Sequence, residues 1–313
     1  MCNPRAIARN NVYAGGILDR AAPLRSDESW VEAHLANPAA RYLAVWRGRN
    51  LVCGDDPPQA VMLPRKAVAD AVDQGAPVVL LGVDGAVAHF AVDYSAADDD
   101  PAAGALADHG EFRDLREFGG LMAAPVASLL AQARGLMYWH QRHRFCGVCG
   151  SPAHIREAGH VRQCSDEACG VQHFPRTDPA VIMLVNHGDN CLLGRQASWP
   201  EGLYSTLAGF VEPGESLEEA VAREISEESG VTVRDVLYHS SQPWPFPASL
   251  MLGFYATAVN LEITINYDEL DDARWFSRDE LLSPSGSHRL PRRDSISRQL
   301  VDDWLNGSEE RHG

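Results

Sequence analysis

At 313 residues the chain has room for two domains and a small insert. Its apolar fraction of 45% is ordinary for a soluble globular protein, and no run of about 18 apolar residues offers a membrane span. A net charge of −16 excludes a protein that grips nucleic acid along a basic stripe, yet permits small anionic substrates whose charge bound cations offset. Arg5 and Arg9 lie near the N-terminus without an apolar stretch of the signal-peptide kind, so the expected location is cytoplasmic.

Residues 1–140 read as a mixed α/β domain without a chemical motif, a scaffold and dimer surface. Tyr42–Trp46, Leu51–Cys53, Ala60–Leu63, Val78–Gly82 and Val87–Val92 are short apolar runs between turn residues, hence strands. Asp84-Gly85 predicts a hairpin turn between the last two. Ala96–Gly104 reads as a loop, and apolar residues at helical spacing predict one long helix from Met122 through Trp139.

Residues 141–175 carry four cysteines in two pairs. Cys146 and Cys149 have a two-residue gap with a glycine after each cysteine, which lets both thiolates turn onto one metal. Cys164 and Cys169 form the second pair across a wider, four-residue gap. In a cytoplasmic protein four such thiolates point to Zn²⁺ rather than disulfides, and a closed tetrahedron leaves no open position, so the zinc is structural. His154 and His160, inside the loop, are the alternative ligands. Cys2, Cys53 and Cys191 are left over, Cys191 in a strand-like run.

From 176 to 313 the pattern changes again. Val181–Val185 and Asn190–Gly194 form two strands around an Asn186-His-Gly-Asp turn, and Ser205–Phe210 adds to the sheet. Pro213-Gly214 is a turn, and Ser216 with Glu219 forms a capping box that starts a helix. Leu217, Ala220, Val221 and Ile225 give it an apolar face, and Gly230 stops it. Glu224, Glu227 and Glu228 crowd one face at i, i+3 and i+4. A solvated acidic face is the commoner meaning of such a trio taken alone. A divalent cation relieves the repulsion, and hard oxygen donors without nearby His or Cys favour Mg²⁺ or Mn²⁺. Further on, Ser241-Gln-Pro-Trp-Pro-Phe-Pro-Ala-Ser249 has prolines at alternate positions that hold the backbone extended and exclude it from a central strand. Trp244 and Phe246 are then stiff aromatic surfaces suited to a flat heteroaromatic ring, and the Gln242 amide suits an amide or base edge.

The stretch from Gly209 through Glu215, Arg223-Glu224, Glu227-Glu228 and Gly230-Val231 matches the Nudix hydrolase box at every fixed position. With the zinc ribbon before it and the Gln242–Ser249 run after it, the chain resembles the NADH pyrophosphatase family, whose members also remove NAD caps from RNA. The resemblance covers residues 141 to about 300 and, over the N-terminal half, domain order alone. It implies an α/β/α Nudix sandwich behind the ribbon and the α/β domain, with Glu215 pairing with Arg223 to brace the loop. The implied metal set is Glu224, Glu227, Glu228 and Glu269, with the Ala208 carbonyl. The implied substrate segment is Gln242, Pro243, Trp244, Pro245, Phe246, Pro247, Ala248 and Ser249. Phe210 and Trp244 would flank the nicotinamide, Trp244 across a homodimer. Phe174 stands where the family has Tyr, Ser297 aligns with a nucleotide contact, and Arg113 is a substrate-contact candidate from the N-terminal half. Two departures are the wide Cys164–Cys169 gap and the hydroxyl lost at Phe174.

The implied reaction is metal-dependent hydrolysis of the NADH or NAD⁺ diphosphate to nicotinamide mononucleotide and AMP. On capped RNA the same cut leaves a 5′-monophosphate. Glu224, Glu228 and Glu269 would hold the metals, and Glu227 would hold a metal or take the proton of the attacking water. Two other readings are a Nudix hydrolase of ADP-ribose or dinucleoside polyphosphates, and a non-enzymatic nucleotide-sensing module. The intact Ser241–Trp244 stretch speaks against the first, and the complete set of box glutamates against the second.

Overall fold

The computed structural model describes residues 11–283 and 288–307; Cys2, Arg5 and Arg9 lie outside them. Among these residues the chain forms two compact units. One takes residues 13–177 with Trp244–Ala248, the other 11–12, 178–243 and 249–307. The segments expected as an N-terminal domain and a ribbon therefore share one unit, in which they form separate sheets.

The first sheet contains β1 (Arg41–Trp46), β2 (Arg49–Cys53), β3 (Gln59–Ala60), β4 (Leu63–Pro64), β5 (Val78–Asp84), β6 (Val87–Asp93) and β7 (Glu111–Arg113), in the order β3-β2-β1-β6-β5 with β4 on β1 and β7 on β2. The run Ala60–Leu63, expected as one strand, is two short pieces that pair with different neighbours: β3 with β2, β4 with β1. Asp84-Gly85 makes the predicted turn, with Gly85 at φ 58°. Tyr42 and Phe90 stack at 5.3 Å in the core beneath the sheet. Helix α1 (Glu28–Ala36), which the sequence reading passed over, is capped by Asp27 accepting from the Trp30 amide. Two short helices, α2 (Ala69–Asp73) and α3 (Leu115–Phe118), precede the long α4 (Ala124–Arg142), which buries Leu130, Ala133 and Met137. Pro125 in its first turn, where a missing N–H costs nothing, sets its start two residues later than expected.

The ribbon strands β8 (Ala153–Arg156), β9 (Val161–Cys164) and β10 (Gln172–His173) form an antiparallel sheet in the order β10-β9-β8. Its tight turn sits against β5: a Cβ on Gly159 (φ 93°) would lie 2.6 Å from Val79 Cγ2.

In the other unit, β11 (Asp178–His187), β12 (Asn190–Arg195), β13 (Leu207–Phe210), β14 (Val233–Trp244), β15 (Ser249–Ala258) and β16 (Asp272–Ser277) form a mixed sheet in the order β14-β15-β11-β12-β16, with β13 on β11. Alternation along β11 explains the layers. Val181, Met183 and Val185 face α5 (Leu217–Ser229), packing with Ala220, Val221 and Ile225. Ile182 and Leu184 face α6 (Arg278–Leu282) and α7 (Ile296–Leu305), packing with Leu281, Leu300 and Trp304. Each fully buried aliphatic side chain contributes about 1.5–3 kcal/mol, so both faces are held strongly. This is the expected α/β/α sandwich. The hairpin β14–β15 was not foreseen; Pro243 is accommodated because β14 is the sheet edge. No helix among the described residues is long and apolar enough to cross a membrane.

Candidate active site

The Glu-rich helix is built as its sequence dictates. Ser216 Oγ accepts from the Glu219 amide (3.2 Å) while Glu219 accepts from the Ser216 amide (2.7 Å). Gly230 ends the helix at φ 68°. Arg223 is the hub of the preceding loop. Its Nη2 donates to Glu215 Oε1 (2.6 Å) and to the Phe210 carbonyl (2.9 Å), and its Nε to Glu215 Oε2 (3.0 Å). Its Nη1 donates to Glu224 Oε1 and Glu227 Oε2, both at 2.9 Å. The bond to Arg223 holds the Glu215 carboxyl below its ordinary range.

Three carboxylates converge beside this hub. One oxygen from each of Glu224, Glu228 and Glu269 lies within 4.8 Å of the others. Glu224 and Glu228 are buried, and burial raises both acids above their ordinary range. For Glu228 burial, reinforced by the charges of Glu224, Glu269 and Glu227, pushes the pKa up to about 8. Glu228 Oε2 is buried without a hydrogen-bond partner. A hard divalent cation fits this donor set: it supplies the missing partner and offsets the crowded charge. Strand β13 makes room for the cluster. A Cβ on Gly209 would lie 1.8 Å from Glu224 Cδ, so glycine is required there, and Ala208 precedes it.

Glu269 reaches the cluster through a tether that the sequence reading missed. The Asn266 amide donates to the Glu228 carbonyl (3.0 Å), and the Glu269 amide to the Asn266 carbonyl (3.1 Å). The Asn266 side chain accepts from the Asp268 amide (3.2 Å) and donates to Glu269 Oε1 (3.3 Å). The signal was present as an Asx turn in Asn266-Tyr-Asp. Glu227, by contrast, stands outside the three-carboxylate cluster, half exposed and held by Arg223.

The expected substrate residues divide. Phe210, at the end of β13, exposes its ring (59%), a free face beside the glutamates. Phe174, at the end of the ribbon, is likewise exposed. Gln242 is buried, and its amide is fully engaged: Nε2 donates to the carbonyls of Val12 (3.1 Å) and Asp294 (2.8 Å), and Oε1 accepts from the Ile296 amide (2.8 Å). Here the amide braces the end of β14. Ser297 is also buried, its hydroxyl 2.7 Å from Ser205 Oγ and 2.9 Å from Thr206 Oγ1. Pro243, Trp244, Ala248 and Ser249 are half-buried, Pro247 is exposed, and Pro245 and Phe246 are buried. Trp244 meets Phe246 and Tyr13 edge-on at 5.1 and 6.1 Å. Arg113 is engaged by Glu111 and Glu117 at 3.7 and 3.6 Å.

The four ribbon cysteines also converge, with all Sγ atoms within 4.8 Å; Cys146–Cys169 is 3.8 Å and Cys149–Cys164 3.3 Å. Tetrahedral zinc at about 2.3 Å from each sulfur separates sulfurs by about 3.8 Å, so the set fits zinc. The wide second gap is absorbed by a turn in which the Cys169 and Gly170 amides donate to the Asp166 carbonyl (3.1 and 2.8 Å). His160 is engaged elsewhere, with Nε2–H donating to the Leu80 carbonyl (2.7 Å), so it is no ligand. His154 lies outside the cluster, whereas His173 Nε2 approaches Cys146 Sγ at 3.3 Å, a contact the sequence reading missed.

Three family profiles match the chain: a NUDIX domain over residues 175–299, an NADH pyrophosphatase zinc ribbon domain over 141–174, and an NADH pyrophosphatase-like rudimentary NUDIX domain over 39–139. The NAD-capped RNA hydrolase NUDT12 of Macaca fascicularis is 36% identical over 348 aligned residues, covering 94% of this chain and 73% of that protein. The NAD-capped RNA hydrolase NudC of Stutzerimonas stutzeri (strain A1501) is 46% identical over 194, covering 62% and 67%. Among solved structures, a NUDIX hydrolase from Nitrosomonas europaea aligns with a TM-score of 0.43 and 22% identity, over 54% of this chain and 93% of that one.

Proposed function

The chain belongs to the Nudix hydrolases of the NADH pyrophosphatase type, the family of the NAD-capped RNA hydrolases, and on that premise we propose how its residues carry the reaction. It hydrolyses the diphosphate of NADH and NAD⁺ to nicotinamide mononucleotide and AMP, and it removes NAD caps from RNA to leave a 5′-monophosphate. The observation that carries this reading is the convergence of Glu224, Glu228 and Glu269 around a buried, partnerless Glu228 oxygen.

Mg²⁺ or Mn²⁺, when bound, offsets charge on the phosphoryl oxygens and makes a bound water more acidic. Glu224, Glu228 and Glu269 hold the ions, with the Ala208 carbonyl as a further donor. Arg223 keeps Glu224 in place through Nη1 and fixes the loop through Glu215. Glu227, half exposed and outside the cluster, takes the proton of the attacking water. Phe210 stacks on the nicotinamide, and the Trp244–Ser249 run is a further substrate-binding segment. Gln242 and Ser297 act at one remove, holding the end of β14 and the start of α7. Phe174 adds an apolar contact without a hydroxyl. The zinc is structural, the working form is a cytoplasmic homodimer, and only the first nucleotides of a capped RNA are gripped by so acidic a protein.

The test uses a short NAD-capped RNA with Mn²⁺ or Mg²⁺. Release of nicotinamide mononucleotide and a 5′-monophosphate end, lost in Glu228→Gln, supports the reading. An RNA left capped by a wild-type protein that cleaves ADP-ribose would replace it.

A further inference from the structure

One of the three converging carboxylates is held differently from the other two. Glu224 and Glu228 are fixed by helix α5, whereas Glu269 is exposed and belongs to the irregular segment 259–271 between β15 and β16. No helix or strand carries it, so its place comes from particular contacts. The segment docks on the end of α5, whose last carbonyls have no partner within the helix. The Thr264 amide donates to the Ser229 carbonyl (2.8 Å) and the Asn266 amide to the Glu228 carbonyl (3.0 Å). Ile263 and Ile265, on either side of Thr264, pack against the core beneath α5, and Leu270 is buried in it. Between Ile265 and Leu270 lies one turn, and Asn266 builds it. Its carbonyl accepts from the amides of Glu269 (3.1 Å) and Leu270 (2.9 Å). Its Oδ1 accepts from the Asp268 amide (3.2 Å), and its Nδ2 donates to Glu269 Oε1 (3.3 Å). Backbone and side chain alike are used, and the bonds run from the main chain of Glu228 to the main chain and carboxylate of Glu269.

We propose that Asn266 is a positioning residue: it aims Glu269 at the divalent metal and so sets metal affinity without ligating the ion. The role rests on the reading of Glu269 as a metal holder. A carboxylate on an exposed turn loses side-chain freedom when it captures an ion, and the Asn266 turn takes up part of that cost on folding. The Asn266 amide is also neutral. It restrains Glu269 without cancelling the negative charge that attracts the cation, whereas Arg223 brings a full positive charge to Glu224 and Glu227. Because Ile265 and Leu270 anchor the segment to the core, loss of the Asn266 side chain falls on the turn and on the Glu269 carboxylate rather than on the fold.

The experiment titrates zinc-loaded wild type, Asn266→Ala, Asn266→Ser, Glu269→Gln and the Asn266→Ala/Glu269→Gln double variant with Mn²⁺ in the absence of substrate, reading free Mn²⁺ by electron paramagnetic resonance. Removing the hydrogen-bonding partner of a metal ligand costs about 10–100-fold in metal affinity, so Asn266→Ala weakens Mn²⁺ binding at least about tenfold. A serine hydroxyl can still accept from the Asp268 amide, so Asn266→Ser recovers part of the loss. Added to Glu269→Gln, Asn266→Ala changes the affinity by less than about twofold, because the group it positions no longer ligates. Wild-type affinity in Asn266→Ala beside a clear loss in Glu269→Gln overturns the positioning role alone. An equal loss from Asn266→Ala in both backgrounds overturns it as well, since the residue then supports the fold and not Glu269. Wild-type affinity in Glu269→Gln overturns the metal reading of Glu269, and the role of Asn266 with it.

Discussion

Gly209→Ala is the sharpest perturbation of the site, because a single methyl group meets a single carboxylate of the buried cluster. The new Cβ would lie 1.8 Å from Glu224 Cδ and 2.0 and 2.1 Å from its oxygens. Ordinary contact between carbons is about 3.5–4.0 Å, so Glu224 has to withdraw by well over 1 Å. The backbone of β13 is ordinary strand at this position, paired with Val181, so alanine adds no backbone strain of its own. The whole effect therefore falls on Glu224 and, through Arg223 Nη1, on the brace. Displacements of about 1 Å at a reacting centre cost about 10²-fold, so kcat/KM should fall by at least about 10²-fold, with weakened metal binding. The assay is steady-state hydrolysis of NADH across a Mn²⁺ titration, alongside thermal unfolding. In a double-mutant cycle, adding Gly209→Ala to Glu224→Ala should change stability by less than about 0.5 kcal/mol, because the collision partner is gone. Wild-type turnover in Gly209→Ala would refute the geometry of the site.

Three further outcomes follow from the structure. Arg223→Lys loses the forked contacts to Glu215, Glu224, Glu227 and the Phe210 carbonyl, so kcat/KM should fall at least about tenfold with stability lowered by about 1–3 kcal/mol; kinetics and urea unfolding measure it. Chelation of zinc, or Cys149→Ser, should loosen the ribbon and lower its unit's melting temperature by roughly 10 °C, since the metal contributes several kcal/mol; calorimetry on zinc-loaded and stripped protein decides. His140 is buried and neutral, with Nδ1 accepting from Arg162 Nε and Nε2–H donating to the Gly159 carbonyl. Burial lowers its pKa from 6.5 to about 4, so its contribution is intact above pH 6.5 and lost as pH falls towards 4. The full loss is on the order of 3 kcal/mol, and unfolding at pH 7.5 and 5.5 should show its onset in wild type and a flatter dependence in His140→Gln.

What was legible in the sequence was local. The loop and helix from Gly209 to Gly230 announce their cap, apolar face and stop within a few turns, and each stands where the spacing puts it; of the three acids on the helix, Glu224 and Glu228 join the cluster and Glu227 stands outside it. The cysteine pairs are equally local, and the wide second gap closes through one Asp166 turn. What escaped depends on distant partners. Gln242 looked like a free amide because Val12, Asp294 and Ile296, which occupy it, are far away in sequence. The partners of Ser297, Ser205 and Thr206, are as distant. The prolines at 243, 245 and 247 argued against a central strand, and rightly, but nothing local says that an edge strand and its returning partner flank them. Helix α1 buries no residue completely, so its apolar pattern was too faint to register.

The most direct test of the account is the product analysis of purified protein with NADH and Mn²⁺ or Mg²⁺, beside Glu228→Gln. Nicotinamide mononucleotide and AMP from the wild type, and neither from the variant, is the predicted result. Intact NADH beside cleaved ADP-ribose or dinucleoside polyphosphate, or NADH cleavage undiminished in Glu228→Gln, would contradict it.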